Sequence, residues 1–110
     1  MAVVDVTIKS DGSGGYTTEV AVGGGTALNP TLKKTVDDIR WINGTAFKAF
    51  LFFPHEGVLG DDDSFHQVIH PGKKHRRSGP GSSVASAHYL YTIFCNGKFA
   101  HGSDLEIIVQ

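Results

Sequence analysis

A cysteine and a histidine near the end of the chain are spaced so that they could do chemistry together. Cys95 is the only cysteine, and His101 follows six residues later. A thiolate and an imidazole can hold a metal ion, or the imidazole can activate the thiol as a nucleophile. However, Cys95 also ends an alternating series with Tyr89, Tyr91 and Ile93, and free cysteine is among the most buried residue types. The pattern therefore favours a buried structural cysteine and keeps a reactive one as the alternative.

Six histidines in a short chain suggest a metal site. His66 and His70 are four residues apart, which in a strand separates them by about 13 Å on one face. They could share an ion only if the chain turned sharply before Pro71. The candidate metal ligands are Cys95, His101, His66 and His70, and histidines scattered over the surface are the simpler interpretation.

A second candidate site is the basic segment "KKHRR", residues 73–77, which holds four of the ten lysines and arginines. Ammonium and guanidinium groups at this density could bind phosphate or another anion. The candidate anion-binding residues are Lys73, Lys74, His75, Arg76 and Arg77. The alternative is a solvated loop whose charge is balanced by the acidic run at 61–63. The segment contains no aromatic residue, which argues against stacking on single-stranded nucleic acid.

Motifs of common enzyme classes are missing from the sequence. The stretches "GSGG" and "GGG" lack the Gly-Lys-Ser/Thr ending of a phosphate-binding loop, and no Gly-x-Ser-x-Gly occurs. The acidic residues form an exposed triplet rather than an isolated pair. We therefore predict no catalytic residues and a protein that is not an enzyme.

Length and charge set further bounds. A chain of 110 residues predicts a single domain, 1–110, with a core of its own. With 40% apolar residues and a net charge of -1, the composition is globular and argues against nucleic acid as a partner. No apolar run is long enough to span a membrane, and the first ten residues do not form a signal peptide. The chain as given predicts a cytoplasmic protein, or a periplasmic or secreted one if a signal peptide was removed.

The elements that must position these residues are predicted to be strands. Period-two alternation recurs along the chain and helical periodicity hardly appears, apart from one possible helical turn or plain loop over 32–36. The alternation of Val4, Val6 and Ile8 with polar residues predicts a half-buried first strand. "DIRWIN" predicts a strand with Ile39 and Trp41 inward, which ends at the turn dipeptide Asn43-Gly44. "FKAFLFFP" is apolar on both faces, so we expect it mid-sheet or under a covering loop. Seven or so short strands predict an all-β fold, an antiparallel two-sheet sandwich.

An ordered series of segments resembles the cupredoxin family of β-sandwiches, which includes the small blue copper proteins. The series consists of "IRWIN", "AFLFF", "VIHPGKK" and "AHYLYTIFCNGKFAHGSDLEIIVQ". The resemblance covers the chain from about Ile39 to its end and implies a Greek-key sandwich. An immunoglobulin-like sandwich is the alternative fold.

The resemblance also implies where a type 1 copper centre would lie. Such a centre uses two imidazoles and a thiolate, with a weak axial ligand. Cys95 falls at the thiolate position, but Phe47 or a neighbour stands where the first histidine would be. His101 lies six residues on rather than about three, and the only methionine is Met1. The interpretation is a cupredoxin-like sandwich with a degenerate copper site and no cofactor.

The function predicted from these features is that of a non-enzymatic binding or interaction module. Its partner would be another protein or an anionic ligand, met by the loops 54–64, 71–83 and 96–104 at one end of the sandwich. One alternative is a copper-binding electron-transfer or metal-handling protein that uses Cys95, His101 and another histidine. The other is an anion-binding protein that uses residues 73–77. The sequence leaves the oligomeric state open.

Overall fold

A computed structural model of the chain describes residues 2–55, 57–60 and 65–110. Within these ranges the chain forms short strands and one turn of 3-10 helix at Ala100–Ser103. The strands are β1 (Ala2–Ser10), β2 (Tyr16–Val22), β3 (Gly25–Ala27), β4 (Thr31–Leu32), β5 (Asp37–Asn43), β6 (Ala49–Phe52), β7 (His66–Ile69), β8 (Lys74–Arg77), β9 (Ala87–Leu90), β10 (Thr92–Cys95), β11 (Lys98–Phe99) and β12 (Glu106–Val109). No helix in the described ranges is long and apolar enough to cross a membrane.

One layer is a five-stranded sheet in the order β3-β2-β1-β5-β8. The predicted alternation holds in its two central strands, because Val6 and Ile8 of β1 and Ile39 and Trp41 of β5 are all fully buried. The pair β1 and β5 runs parallel, with Val6 opposite Trp41. The sheet therefore presents one apolar face to the core.

The other layer is divided into two sheets. The four-stranded sheet has the order β11-β10-β6-β7, and the three-stranded sheet has the order β4-β12-β9. Only Tyr91 separates β9 from β10, and its backbone N–H donates to the carbonyl of Leu105 at 2.9 Å. One buried cluster joins both layers, with contributions from Trp41, Leu51, Tyr91, Ile93, Leu105 and Ile107 among others. The predicted all-β sandwich is confirmed.

Strand direction differs from the prediction of a purely antiparallel sandwich. The pairs β1–β5 and β4–β12 are parallel, whereas the other pairs among the described strands are antiparallel. Parallel neighbours need a long connection between them. Here the chain provides one, because β2, β3 and β4 intervene between β1 and β5.

The segment before β5 is not helical, so of the two possibilities for 32–36 the structure has the loop, which follows the short strand β4. Leu32 is buried in β4, and its carbonyl accepts a hydrogen bond from the N–H of Gln110 at 3.0 Å. Thr35 has a φ of 61°, a left-handed value that ends any regular helix. Burial of Leu32 against the last strand therefore outweighs local helix formation.

Candidate functional site

Cys95 is the last residue of β10, and its side chain is fully buried. It lies opposite Ala49 of β6 and Lys98 of β11. Its Sγ is 3.5 Å from the hydroxyl oxygen of Thr45. The inward position predicted from the alternation is confirmed, and the hydrogen-bond contact of the thiol is with a neutral hydroxyl.

Asn43 organises the loop beside this thiol. The side chain is fully buried at the end of β5, and its Nδ2 donates to the carbonyls of Phe47 at 2.7 Å and Ile69 at 2.8 Å. Its Oδ1 accepts from the N–H of Thr45 at 3.0 Å and lies 2.7 Å from the Thr45 hydroxyl. A buried amide with this many partners holds the turn rigidly against β7.

Sequence reasoning missed this role of Asn43 and Thr45. The pair Asn43-Gly44 predicted only a turn. A signal existed in the Asn-Gly-Thr triplet, since Asn side chains commonly bond the backbone two residues on. Its importance depends on burial, which the triplet alone does not reveal.

His101 lies in the 3-10 turn that follows β11. It has a φ of 46° and an exposed side chain, while the preceding Ala100 is fully buried. Its carbonyl accepts from the N–H of Asp104 at 3.3 Å. The turn therefore buries alanine and leaves the imidazole outside the core that holds Cys95.

His66 and His70 lie at opposite ends of β7. His66 begins the strand, and its ring contacts that of Phe65 at a centroid distance of 4.7 Å. His70 directly follows the strand and is exposed. In residues 2–55, 57–60 and 65–110, no three His, Cys, Asp or Glu side chains are grouped so that they could hold a metal ion. The structure thus does not bring the four candidate ligands together.

The basic segment is a strand, so its prediction as a loop was wrong. Residues 74–77 form β8, which pairs with β5 at the edge of the five-stranded sheet. Arg76 Nη2 lies 2.6 Å from Asp38 Oδ2. The hydrogen bond from Arg76, aided by the N–H of Gly79, lowers the pKa of Asp38. Gly79 is required there because a Cβ would lie 1.6 Å from the carbonyl oxygen of Asp37.

Arg77 belongs to the core rather than to a binding surface. It is only 2% exposed, and its guanidinium carbon lies 4.3 Å from the ring centroid of Phe53. Its Nε donates to Nε2 of His75 at 3.3 Å. Lys73 and Lys74 are exposed. Anion binding by the segment stays a prediction, with Arg77 enclosed and Arg76 paired to a carboxylate.

The three loops expected at one end of the sandwich are divided between both ends. The N–H of Gly60 donates to the carbonyl of Ser78 at 3.0 Å, near the start of β5. The N–H of Gly72 donates to the carbonyl of Asn43 at 2.9 Å, at the end of β5. A seven-residue strand separates these contacts by about 20 Å. Glu56 and the segment 61–64, with its three aspartates, lie outside the described residues.

The outer face of the four-stranded sheet is lined with phenylalanines. One row of cross-strand neighbours runs Phe99, Phe94, Phe50 and Val68 over β11, β10, β6 and β7. The next row runs Thr92, Phe52 and His66. We call these seven residues the phenylalanine face. The rings of Phe94 and Phe99 pack edge to face at 5.1 Å.

This face is open to solvent. Phe50 is 37% exposed, Phe52 39% and Phe99 51%. Phe65, whose ring contacts that of His66, is 65% exposed and extends the apolar surface at the start of β7. The mid-sheet position predicted for "FKAFLFFP" is confirmed, since β6 lies between β10 and β7. Among the described residues, Phe50 and Phe52 on the outer face of β6 stay partly exposed, whereas Ala49 and Leu51 on its inner face are fully buried.

The residues at the implied copper position do not fit a type 1 centre. Thr45 rather than a histidine is the hydrogen-bond partner of the Cys95 thiol, and Phe47 is 44% exposed. Every buried side-chain nitrogen or oxygen in the described part of the chain already has a hydrogen-bond partner. No buried side-chain nitrogen or oxygen in this part of the chain is therefore left unpaired, and we derive no copper chemistry from this site.

Solved structures resemble this chain in fold. The McoA multicopper oxidase of the hyperthermophile Aquifex aeolicus matches 98% of the chain with a TM-score of 0.57 and 12% identity. A 2F4 variant of that enzyme matches the same share with a TM-score of 0.51 and 11% identity. The chain spans 26% of the length of each. Reduced rusticyanin also matches, with a TM-score of 0.43 and 17% identity over 98% of this chain and 78% of its own.

Comparisons by sequence find no counterpart. No family model matches the chain, and no curated protein matches it. The likeness is therefore one of backbone architecture, which agrees with the ordered series of segments from Ile39 onward. The chain has a cupredoxin-like fold.

Proposed function

We propose that this protein is a non-enzymatic interaction module that binds another protein through the phenylalanine face. The observation that carries the proposal is the row Phe99, Phe94, Phe50 and Val68, which crosses all four strands of one sheet on its solvent side. Large contiguous apolar patches on an otherwise soluble fold mark interaction sites. Phenylalanine is also enriched in the buried centres of protein interfaces.

The shape of the surface favours a protein over a small ligand. Small-molecule sites are concave and enclose most of their ligand. The phenylalanine face is instead an open sheet surface. A cavity of about 220 Å³ lies elsewhere, lined by Thr35, Asp37 and Asp38 and by residues 78–81. The carboxylates there already accept hydrogen bonds from the protein. Asp38 accepts from the Arg76 guanidinium and the N–H of Gly79, and Asp37 accepts from the N–H of Lys33.

A non-enzymatic role is supported by the surroundings of Cys95. The thiol is buried, and its hydrogen-bond contact is with the Thr45 hydroxyl. A thiol nucleophile needs an activating base or cation and access to a substrate. The candidate base, His101, has an exposed side chain on the turn after β11.

The proposal is tested with a fluorescent apolar dye such as bis-ANS at sub-micromolar protein concentration. The test variant is Phe52→Glu/Phe99→Glu, which places two charges on the face. The matched control is Val22→Glu, since Val22 is 56% exposed at the end of β2 in the other layer. We expect the double variant to lose most of the dye binding and the control to keep it. Equal dye binding by the parent and the double variant, both folded by circular dichroism, would overturn the proposal.

A further inference from the structure

We propose that the partner of the phenylalanine face is a second copy of this chain, so that two four-stranded sheets pack face to face across a two-fold axis. This inference rests on the proposed function, because it requires the face to be an interaction surface. It adds the identity of the occupant. The argument depends on the area, the charge and the geometry of the face.

The exposed apolar area approaches what a stable dimer needs. With about 200 Å² for a fully exposed phenylalanine, the fractions found for Phe50, Phe52, Phe65 and Phe99 leave roughly 400 Å² of phenylalanine surface open. A standard interface buries about 800 Å² on each partner and is about 56 to 65% apolar, which requires roughly 450 to 520 Å² of apolar surface. The half-buried Phe94 and Val68 contribute toward the remainder. The four-stranded sheet, together with Phe65 beside it, therefore carries most of the apolar centre of such an interface.

The charge of the face suits an identical partner. None of its seven residues is Asp, Glu, Lys or Arg. In a two-fold interface the same patch meets itself, so any charge near the axis would face a like charge. The chain as a whole has a net charge of -1, so two copies repel each other little at long range. A highly charged partner would find no Asp, Glu, Lys or Arg among these seven residues with which to form an ion pair.

The geometry of the face allows this packing. Sheets that pack face to face lie about 10 Å apart with interdigitating side chains. The rings of Phe50 and Phe52 project from the central strand β6, and Phe94 and Phe99 flank them on β10 and β11. Two such rows can interleave across a two-fold axis near Phe50. The dimer would contain an additional apolar layer outside the core of each sandwich.

Sedimentation velocity from 1 to 200 µM tests the inference on the full chain. We expect the mass to rise with concentration from the 11.8 kDa of one chain toward twice that value. Phe52→Glu/Phe99→Glu should raise the dissociation constant by 100-fold or more, since each interface anchor typically contributes about 30-fold. Val22→Glu should associate like the parent. A second variant pair, Phe52→Ala and Phe99→Ala, keeps the test valid if the charged variant does not fold.

The outcomes separate this inference from the function on which it rests. If the parent stays at 11.8 kDa up to 200 µM but still binds the dye through the face, the occupant is a different protein and self-association is overturned. If the parent dimerises but the variants dimerise equally, the interface lies elsewhere and the inference is again overturned. If dye binding is also unchanged by the variants, both proposals fail together. A variant-sensitive dimer whose formation displaces the dye supports both.

Discussion

The indole N–H of Trp41 donates a hydrogen bond to the hydroxyl of Tyr91 at 3.3 Å and thereby joins the two layers of the sandwich inside the core. Their ring centroids are 5.9 Å apart, and Phe53 packs against both rings. Trp41 comes from the five-stranded sheet, whereas Tyr91 links the two sheets opposite. The hydrogen bond therefore connects the five-stranded sheet to the residue that joins the other two sheets.

Replacing Tyr91 by phenylalanine should change the stability of the protein at high pH. Burial raises the pKa of Tyr91 above its ordinary value of 10.0. As the pH rises, the unfolded chain therefore loses the Tyr91 proton before the folded chain does. The contribution of the neutral hydroxyl to the free energy of unfolding is complete below about pH 10 and declines as the pH rises further. We expect the parent to lose up to about 1.4 kcal/mol per pH unit more than Tyr91→Phe above pH 10. Urea unfolding at pH 8 to 11.5 measures the difference, and parallel pH curves would contradict it.

At neutral pH the same variant should be less stable than the parent. Removal of the hydroxyl leaves the buried indole N–H of Trp41 without its acceptor. An unsatisfied buried donor costs about 1 to 3 kcal/mol. Urea unfolding at pH 7 gives this value, and equal stability of parent and variant would show that another acceptor takes the N–H.

Asn43→Ala should destabilise the protein strongly. The buried amide holds the carbonyls of Phe47 and Ile69 and the backbone N–H of Thr45. Loss of several buried hydrogen bonds predicts a decrease of about 3 kcal/mol in the free energy of unfolding. Lys48→Ala is the control, because the Lys48 side chain is exposed just before β6. We expect the control to change stability by less than about 0.5 kcal/mol. Equal effects of the two variants would disprove the role of Asn43.

Arg77→Ala should behave as a core substitution. The side chain is buried against the ring of Phe53 and bonded to His75, so its removal opens a cavity and breaks a buried contact. We expect a loss of about 2 to 4 kcal/mol. Lys74→Ala, on an exposed position of the same strand, should stay within about 0.5 kcal/mol. Thermal and urea unfolding measure both. If the Lys74 variant lost as much stability as the Arg77 variant, burial of Arg77 would not be the cause of the loss.

Cys95 should be unreactive in the folded protein. Because its thiol is fully buried, labelling by a disulfide reagent requires local or global opening of the fold. We expect labelling in buffer to be at least about 100-fold slower than in denaturant. Fast labelling of the native protein would contradict the buried position.

Addition of copper(II) to the same protein tests the implied metal centre. Because Thr45, not a histidine, adjoins the thiol, we expect no intense visible charge-transfer band between thiolate and copper. A band that appears in the parent and is lost in Cys95→Ala would favour the copper-binding alternative. Cys95→Ser provides a second control of similar size.

Alternation in the sequence was sufficient to predict the apolar strands. Val6, Ile8, Ile39 and Trp41 are buried as expected, because in a strand every second side chain faces the same way. The order of segments after Ile39 was also sufficient to predict a cupredoxin-like sandwich. The inward position of Cys95 followed from the same regularity.

Polar strands and long-range partners were not predictable in this way. Lys74 to Arg77 contains no apolar residue, so nothing in its pattern distinguishes an edge strand from a loop. Its place depends on pairing with β5 and on the burial of Arg77 against Phe53. The parallel pairing of β1 with β5 similarly depends on which strands become neighbours after the chain has passed through the other layer.

For the functional surface, the sequence by itself determined that both faces of the "FKAFLFFP" strand are apolar. Only the tertiary structure decided which face is covered. Ala49 and Leu51 enter the core, and Phe50 and Phe52 remain outside beside Phe94 and Phe99. The reason is that a local pattern records the alternation of side chains, whereas burial depends on what packs against the sheet from distant parts of the chain.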